Sequence, residues 1–210
     1  MARGRLITFE GIEGCGKTTQ LLLLARYLKE RGVSVVTTRE PGGTPLGERV
    51  RRVLLDPKLT PTPVAELFLL EAARAQLVSD VIAPALEKGS YVLSDRFADS
   101  SVAYQAGGRR LARATVDRLN ELACAAIVPD RTLVFDLDVE VALGRARVRP
   151  ATTPDNRRFE DEALEFHGAV ADAYRRLARE QPQRFAVIDA AGLPEEVHGR
   201  ALAALAGVLP

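Results

Sequence analysis

Apolar residues recur along this chain in two rhythms. Short runs rich in β-branched and aliphatic residues fall at 5–10 (Arg-Leu-Ile-Thr-Phe-Glu), 33–38 (Val-Ser-Val-Val-Thr-Thr), Tyr91–Ser94, Thr132–Phe135 and Phe185–Ile188. Runs of this length predict strands buried on both faces. Between them lie longer stretches with helical spacing, such as the leucine-rich segment from Thr18 to Arg31, which Gly32 stops. Five strands alternating with helices predict an α/β fold, a parallel sheet covered on both faces that holds ligands in the crevice at the carboxyl ends of its strands. The segment from about Val64 to Lys88 reads as one long helix that is apolar on more than one face, through Leu67, Phe68, Leu69, Leu70, Leu77, Val78, Val81 and Ile82. One sheet contact needs fewer, so the surplus predicts a symmetric homodimer built partly on this helix.

The unusual residues collect at the carboxyl ends of the strands. Directly after the first strand, Gly11–Thr18 reads Gly-Ile-Glu-Gly-Cys-Gly-Lys-Thr, followed by Thr19, which is the spacing of a nucleoside-triphosphate loop in its strand–loop–helix context. Gly11, Gly14 and Gly16 let the backbone curl so that successive N–H groups face phosphate oxygens, and the helix N-terminus adds positive potential. Ile12, Glu13 and Cys15 fill the variable places, Lys17 reaches the β- and γ-phosphates, and Thr18 offers its hydroxyl to Mg²⁺. The second strand is followed by Arg39-Glu40-Pro41-Gly42-Gly43 and the third by Asp95-Arg96. Asp95 stands where phosphate-loop proteins place the carboxylate that holds hydrated Mg²⁺. Arg96 can fork two hydrogen bonds onto a phosphate, as a lysine cannot. Arg145, Arg147, Arg149, Arg157 and Arg158 form a basic cluster split by the polar, proline-bracketed segment 150–156. Beside a phosphate loop, they predict a lid at about 145–160 that closes arginines over a transferring phosphoryl group. His167 and His198 lie in helical patterns without a second ligand at metal spacing and are assigned no role.

Composition narrows the partners. A chain of 210 residues that is 47% apolar can bury one substantial core, and a single domain spanning 1–210 is expected. The net charge of +1, with no basic block standing apart, points away from nucleic acid and membrane surfaces and toward a small anion. Cys15 and Cys124 are the only cysteines, which fits a reducing compartment. The first strand starts too early to leave room for a signal peptide, and no apolar run reaches membrane-spanning length, so a cytoplasmic protein is expected.

Four segments together carry a family resemblance: Phe9-Glu10-Gly11-x-Glu13-Gly14-x-Gly16-Lys17-Thr18-Thr19-Gln20, Thr38-Arg39-Glu40-Pro41-Gly42-Gly43-Thr44, Asp95-Arg96-Phe97 and Ser100-Ser101-x-Ala103-Tyr104-Gln105. In order and spacing, from about Leu6 to Asp189, the chain closely resembles the bacterial thymidylate kinases. The resemblance implies a P-loop nucleoside monophosphate kinase-like fold and transfer of the γ-phosphate of ATP to dTMP, with Mg²⁺, in a homodimer. It implies that Gly11–Thr19 bind ATP and that Glu13 lies against the deoxyribose 3′-hydroxyl. It implies that Arg39 and Arg96 lie near the dTMP phosphate, with Pro41 and Gln105 lining the same site. Arg74 then faces thymine O4, Ser101 approaches the base edge, and Tyr104 crowds C2′, where an extra hydroxyl would find no volume.

One position departs from the family pattern, because many relatives stack an aromatic ring on thymine where this chain has Leu70. The family also divides by the site of its catalytic arginine. None of the loop variables Ile12, Glu13, Gly14 and Cys15 is basic and the lid is arginine-rich, so the chain resembles the type with lid arginines, and Arg149 and Arg158 are its expected catalytic pair beside Lys17, Glu13 and Arg96. Two other functions compete. A GTP-dependent switch would need guanine-reading residues, yet Asn-Lys-x-Asp is absent and the sole Asp-x-x-Gly, at Asp189–Gly192, comes too late. A kinase of another nucleoside monophosphate or of a deoxynucleoside stays open, since Glu13, Arg74 and Tyr104 favour dTMP only through the resemblance.

Overall fold

Leu6, Ile7, Thr8, Phe9 and Glu10 are buried without exception, the environment of a strand with neighbours on both edges and helices on both faces. The computed structural model describes residues 3–148, 158, 159 and 161–210. Its strands are β1 (Leu6–Glu10), β2 (Val35–Arg39), β3 (Tyr91–Asp95), β4 (Arg131–Asp136) and β5 (Phe185–Asp189). They form one parallel sheet in the order β2-β3-β1-β4-β5, as the alternating pattern predicts. Phe9 and Arg39 both pair with Asp95, which brings the carboxyl ends of β1, β2 and β3 level. The outer strands β2 and β5 are partly exposed, as sheet edges must be.

The helices are α1 (Lys17–Lys29), α2 (Pro45–Leu55), α3 (Pro63–Leu77), α4 (Ala83–Glu87), α5 (Ala98–Ser101), α6 (Arg113–Cys124), α7 (Val139–Val148), α8 (Leu164–Glu180) and α9 (Pro194–Ala204). Both α2 and α3 start on Thr-Pro: the hydroxyls of Thr44 and Thr62 accept from the N–H of Gly47 and Ala65, and proline takes the first helical position, where no N–H is needed. On one face of the sheet, α1 and α9 cover a core in which Phe9 stacks on Phe135 at 5.9 Å. On the other, Leu6 and Val92 meet Leu77, Ile82, Phe97 and Cys124.

The helix expected from Val64 to Lys88 is not continuous. Residues Val78–Ile82 widen into a π turn, in which the Ala83 N–H reaches back to the Val78 carbonyl, before α4 begins. Pro84 explains the break, because it lacks an N–H and its ring collides with the carbonyl four residues earlier in α register. The apolar surplus of this segment is mostly satisfied within the chain. Leu67, Leu77, Val78 and Ile82 are buried, Leu69 and Leu70 pack on Val50, Leu54 and Ala73, and Val81 joins the core beneath β3. Phe68 alone of the group is exposed, at 56%, one turn from exposed Val64. Among the described residues, no helix is long and apolar enough to cross a membrane.

Candidate active site

The loop after β1 is held where a phosphate would sit by contacts that tolerate only glycine. Gly14 has φ 75°, and a Cβ there would lie 1.9 Å from the Ala142 carbonyl oxygen of α7. Gly16 caps α1 without a side-chain hydrogen bond, and the first turn of that helix carries no acidic residue, which leaves its N–H groups facing outward. Lys17 folds back over the loop, donating to the Ile12 carbonyl at 2.7 Å and lying 3.7 Å from Cys15 Sγ. Thr18 donates its hydroxyl to Asp95 Oδ2, so the two expected Mg²⁺ ligands stand side by side at the ends of α1 and β3. Among the described residues no cluster of three or more His, Cys, Asp or Glu side chains could hold a metal. A hydroxyl and one carboxylate are nevertheless a fitting set for Mg²⁺, which takes few protein oxygens and completes its octahedron with water and phosphate.

Arg96 is the hub of the opposite wall. Its backbone is left-handed, φ 74°, and its N–H bonds to the Phe9 carbonyl at 3.0 Å. Nη2 meets Glu13 Oε1 at 2.8 Å and the Tyr104 hydroxyl at 2.9 Å; Nη1 meets the Gly11 carbonyl at 3.1 Å, Ser100 Oγ at 3.2 Å and the Tyr174 hydroxyl at 3.3 Å. Tyr104 OH also lies 2.7 and 2.8 Å from the two Glu13 oxygens. Burial alone would raise the pKa of Glu13, but Arg96, His167, Lys17 and Tyr104 outweigh it and hold the carboxyl well below the usual range. Glu13 is therefore an anion clamped between cations.

Arg39, Pro41, Leu70, Arg74, Ser101 and Gln105 all line the same cavity, of about 620 Å³, as Glu13, Lys17, Thr18, Thr19, Asp95, Arg96 and Tyr104. The structure thus gathers these predicted residues at one place. Arg39 is half-exposed and pairs with Glu48 at 3.1 Å. Arg74 is fully buried, and its guanidinium is committed to Glu40, Glu71, Ser101, Asn120 and the Phe97 carbonyl. Gln105 Nε2 donates to Glu66 at 2.9 Å, leaving its oxygen without a partner among the described residues.

The lid arginines divide. Arg145 lines the cavity, Arg147 is exposed on α7, and Arg149, Arg157 and the 150–156 segment lie outside the described residues. Arg158 is not among the lining residues: it donates to the Leu54 carbonyl at 2.8 Å and to Glu66 at 2.6 Å. Glu66 is fully buried and also takes Arg109 and Gln105.

Several residues of the site escaped the sequence reading. Arg51 lines the cavity, donating to the Pro41 carbonyl at 3.1 Å, and burial followed by the nearby Arg39 lowers its pKa. Phe159 puts an aromatic ring on the cavity that Leu70 also lines, edge-on to Tyr104 at 6.0 Å. Glu10 and Tyr174 lie beneath Arg96 and Ser100. His167, assigned no role above, is fully buried with Nδ1 3.5 Å from Glu13 Oε2. The helical periodicity of α8 identifies His167 and Tyr174 as inward-facing, but nothing local says that they meet β1.

Comparison with known proteins agrees with this geometry. The profile of the family described as thymidylate kinase matches residues 9–201. A thymidylate kinase of Pelobacter propionicus is 52% identical over 197 residues, 92% of this chain and 90% of that protein. One from Hahella chejuensis is 46% identical over 210 residues, covering 100% of this chain and 99% of its own length. The crystal structure of thymidylate kinase from Ehrlichia chaffeensis superposes with a TM-score of 0.78 at 35% identity, covering 97% of this chain and 99% of that one. A match across nearly the whole chain, on a phosphate loop and an arginine-lined wall that face one cavity, places this chain in the thymidylate kinase family.

Proposed function

We infer that the chain transfers the γ-phosphoryl group of ATP to dTMP, giving dTDP and ADP. One observation carries the reading: two anion-receiving walls, the Gly11–Thr19 loop with Lys17 on one side and Arg39, Arg51 and Arg96 on the other, share a single cavity. Two nucleotides can therefore bring their phosphates together in one place, which is what in-line transfer needs. ATP phosphates take the N–H groups of the loop, and Lys17 turns from the Ile12 carbonyl to the β- and γ-oxygens. Thr18 and Asp95 would hold Mg²⁺, which would supply positive charge to offset that of the phosphates. Arg96, already charged and oriented, takes the dTMP phosphate with Arg39, while Glu13 accepts from the 3′-hydroxyl. Arg74 reads thymine O4 by sharing an N–H now given to Ser101 or Asn120, Pro41, Leu70 and Gln105 help wall the base, and the Tyr104 ring guards C2′.

Arg149 and Arg158 of the lid steady the equatorial oxygens during transfer, and Arg158 first leaves Glu66. The whole chain 1–210 acts as one domain, with 145–160 as its lid. It works in the cytoplasm as a homodimer whose contact includes Val64 and Phe68 of α3, the helix that packs against α2 and α6. A coupled assay of the purified protein with dTMP, dUMP, dCMP, dGMP and thymidine tests the substrate assignment. The fastest turnover is expected with dTMP, and a higher kcat/KM with any other acceptor would overturn it.

A further inference from the structure

Glu10, the last residue of β1, is fully buried and has no part in the roles above. Its Oε1 accepts the Phe97 N–H at 2.8 Å, and its Oε2 accepts from Ser100 Oγ at 2.6 Å and the Tyr174 hydroxyl at 2.7 Å. Those two hydroxyls lie 2.9 Å apart and are the acceptors that Arg96 Nη1 meets at 3.2 and 3.3 Å. The other carboxylate near Glu10, Asp99, is turned to Arg184, which grips it at 2.6 and 2.8 Å.

With Glu10 ionised, one arrangement satisfies every donor and acceptor of this cluster. A guanidinium only donates and a carboxylate only accepts. With Glu10 ionised, both hydroxyl hydrogens point to Oε2, and both hydroxyl oxygens turn their lone pairs to Arg96. Glu13 holds the other edge of the same guanidinium through Nη2, so the Arg96 plane is fixed from two sides. We propose that Glu10 is a positioning residue for Arg96: by orienting the Ser100 and Tyr174 hydroxyls it aims the arginine at the acceptor phosphate. The proposal rests on the reading of Arg96 given above. It adds a residue of the phosphate-loop strand that never meets substrate yet sets how well the acceptor is held.

Glu10→Gln tests this with little change of shape. The amide oxygen must stay on the Phe97 N–H, because the NH₂ group there would face donor to donor. The NH₂ group then points at Ser100 and Tyr174 and competes with Arg96 for their lone pairs. Steady-state kinetics at pH 8 should show the KM for dTMP raised about five- to tenfold, the worth of one ordinary net hydrogen bond, since the bonds to Arg96 are weakened rather than removed, with the KM for ATP unchanged. Tyr174→Phe should raise the dTMP KM in the same direction, and the double variant should fall short of the product of the two effects, since both act on one contact. An unchanged dTMP KM in Glu10→Gln, or parallel increases for both substrates with a lowered Tm, would overturn the proposal. If Glu10→Gln does not fold, Tyr174→Phe and Ser100→Ala decide by the same split between substrates. Arg96→Ala with an unchanged dTMP KM would overturn the reading of Arg96 as well, which distinguishes that failure from failure of the Glu10 role alone.

Discussion

The ring and the hydroxyl of Tyr104 have separable jobs, and two substitutions divide them. The hydroxyl bonds both oxygens of Glu13 and accepts from Arg96. The ring is 5% exposed and packs edge-on against Phe159, Phe166 and Tyr174, with centroids 6.0, 6.0 and 6.5 Å away. Tyr104→Phe removes only the hydroxyl, and bonds to charged groups of this kind contribute about 1.5–3 kcal/mol. In a chain of this size about 2 kcal/mol corresponds to a fall in Tm of about 4–8 °C. Tyr104→Ala also empties the space of the ring, at a cost of about 3–5 kcal/mol, and opens room beside C2′. The two variants should therefore part company in selectivity. Measured as kcat/KM for the deoxy and ribo forms of thymidine monophosphate, at a temperature where both variants are folded, discrimination should survive in Tyr104→Phe. It should fall about tenfold or more in Tyr104→Ala, the scale on which a pocket rejects one added group. Equal loss in both variants would mean that the hydroxyl, not the ring, sets the preference. No loss in Tyr104→Ala would refute the guard altogether.

Other expectations are sharp enough to fail. Arg158→Ala should lower kcat at least about a hundredfold while leaving the KM for dTMP nearly unchanged, because arginines that meet the charge of a transferring phosphoryl group are worth about 10³–10⁵ in rate; a kcat within a few-fold of the parent would leave Arg158 only its structural bonds to Glu66 and the Leu54 carbonyl. Glu10 gives stability a defined slope with pH: burial, aided by Asp99 and opposed by Arg96, Ser100 and Tyr174, pushes it up to about 7, so between about 4.5 and 7 the folded chain holds a proton that the unfolded chain has released. Its contribution is fully present below 4.5 and is lost as pH rises through about 7, so the stability of the parent relative to Glu10→Gln should decline between pH 5 and pH 8 in urea titrations, and a constant difference would refute this. Phe68→Asp should convert a dimer to monomer in light scattering at micromolar concentration, whereas a monomeric parent would sink the dimer itself.

The sheet and one wall of the site could be read from the sequence because each rests on local rules. Five apolar runs give five strands, and the glycines at 11, 14 and 16 can only serve a curled loop before a helix. What braces the other wall from behind depends on pairings across great separations in the chain. Glu10 meets Tyr174, 164 positions away, and Arg158 meets Glu66, 92 positions away. No periodicity encodes such contacts; they exist because α8, packed on β4 and β5, reaches the end of β1 through Tyr174 and because a buried carboxylate must find donors wherever the packing brings them. His167 shows the same limit. At its place in α8 it reads as one more inward-facing residue, and only the fold sets it beside Glu13.

The wide turns recorded for Val78–Ile82 recur at Val102–Gly108, the segment that carries Tyr104 and Gln105. That segment starts from α5, which bears Ser100 and Ser101, and ends where Gly107 and Gly108 press against Ala173 and Phe166 of α8. Its length is thus fixed at both ends. Deleting a single residue from it would restore ordinary helical winding, yet would rotate everything downstream by about 100° relative to α5. Either Tyr104 and Gln105 would turn off the cavity or the two glycines would lose their seat on α8. Insertions and deletions that the surface loops of this chain absorb should therefore be lethal to activity here, even where every side chain named above is retained.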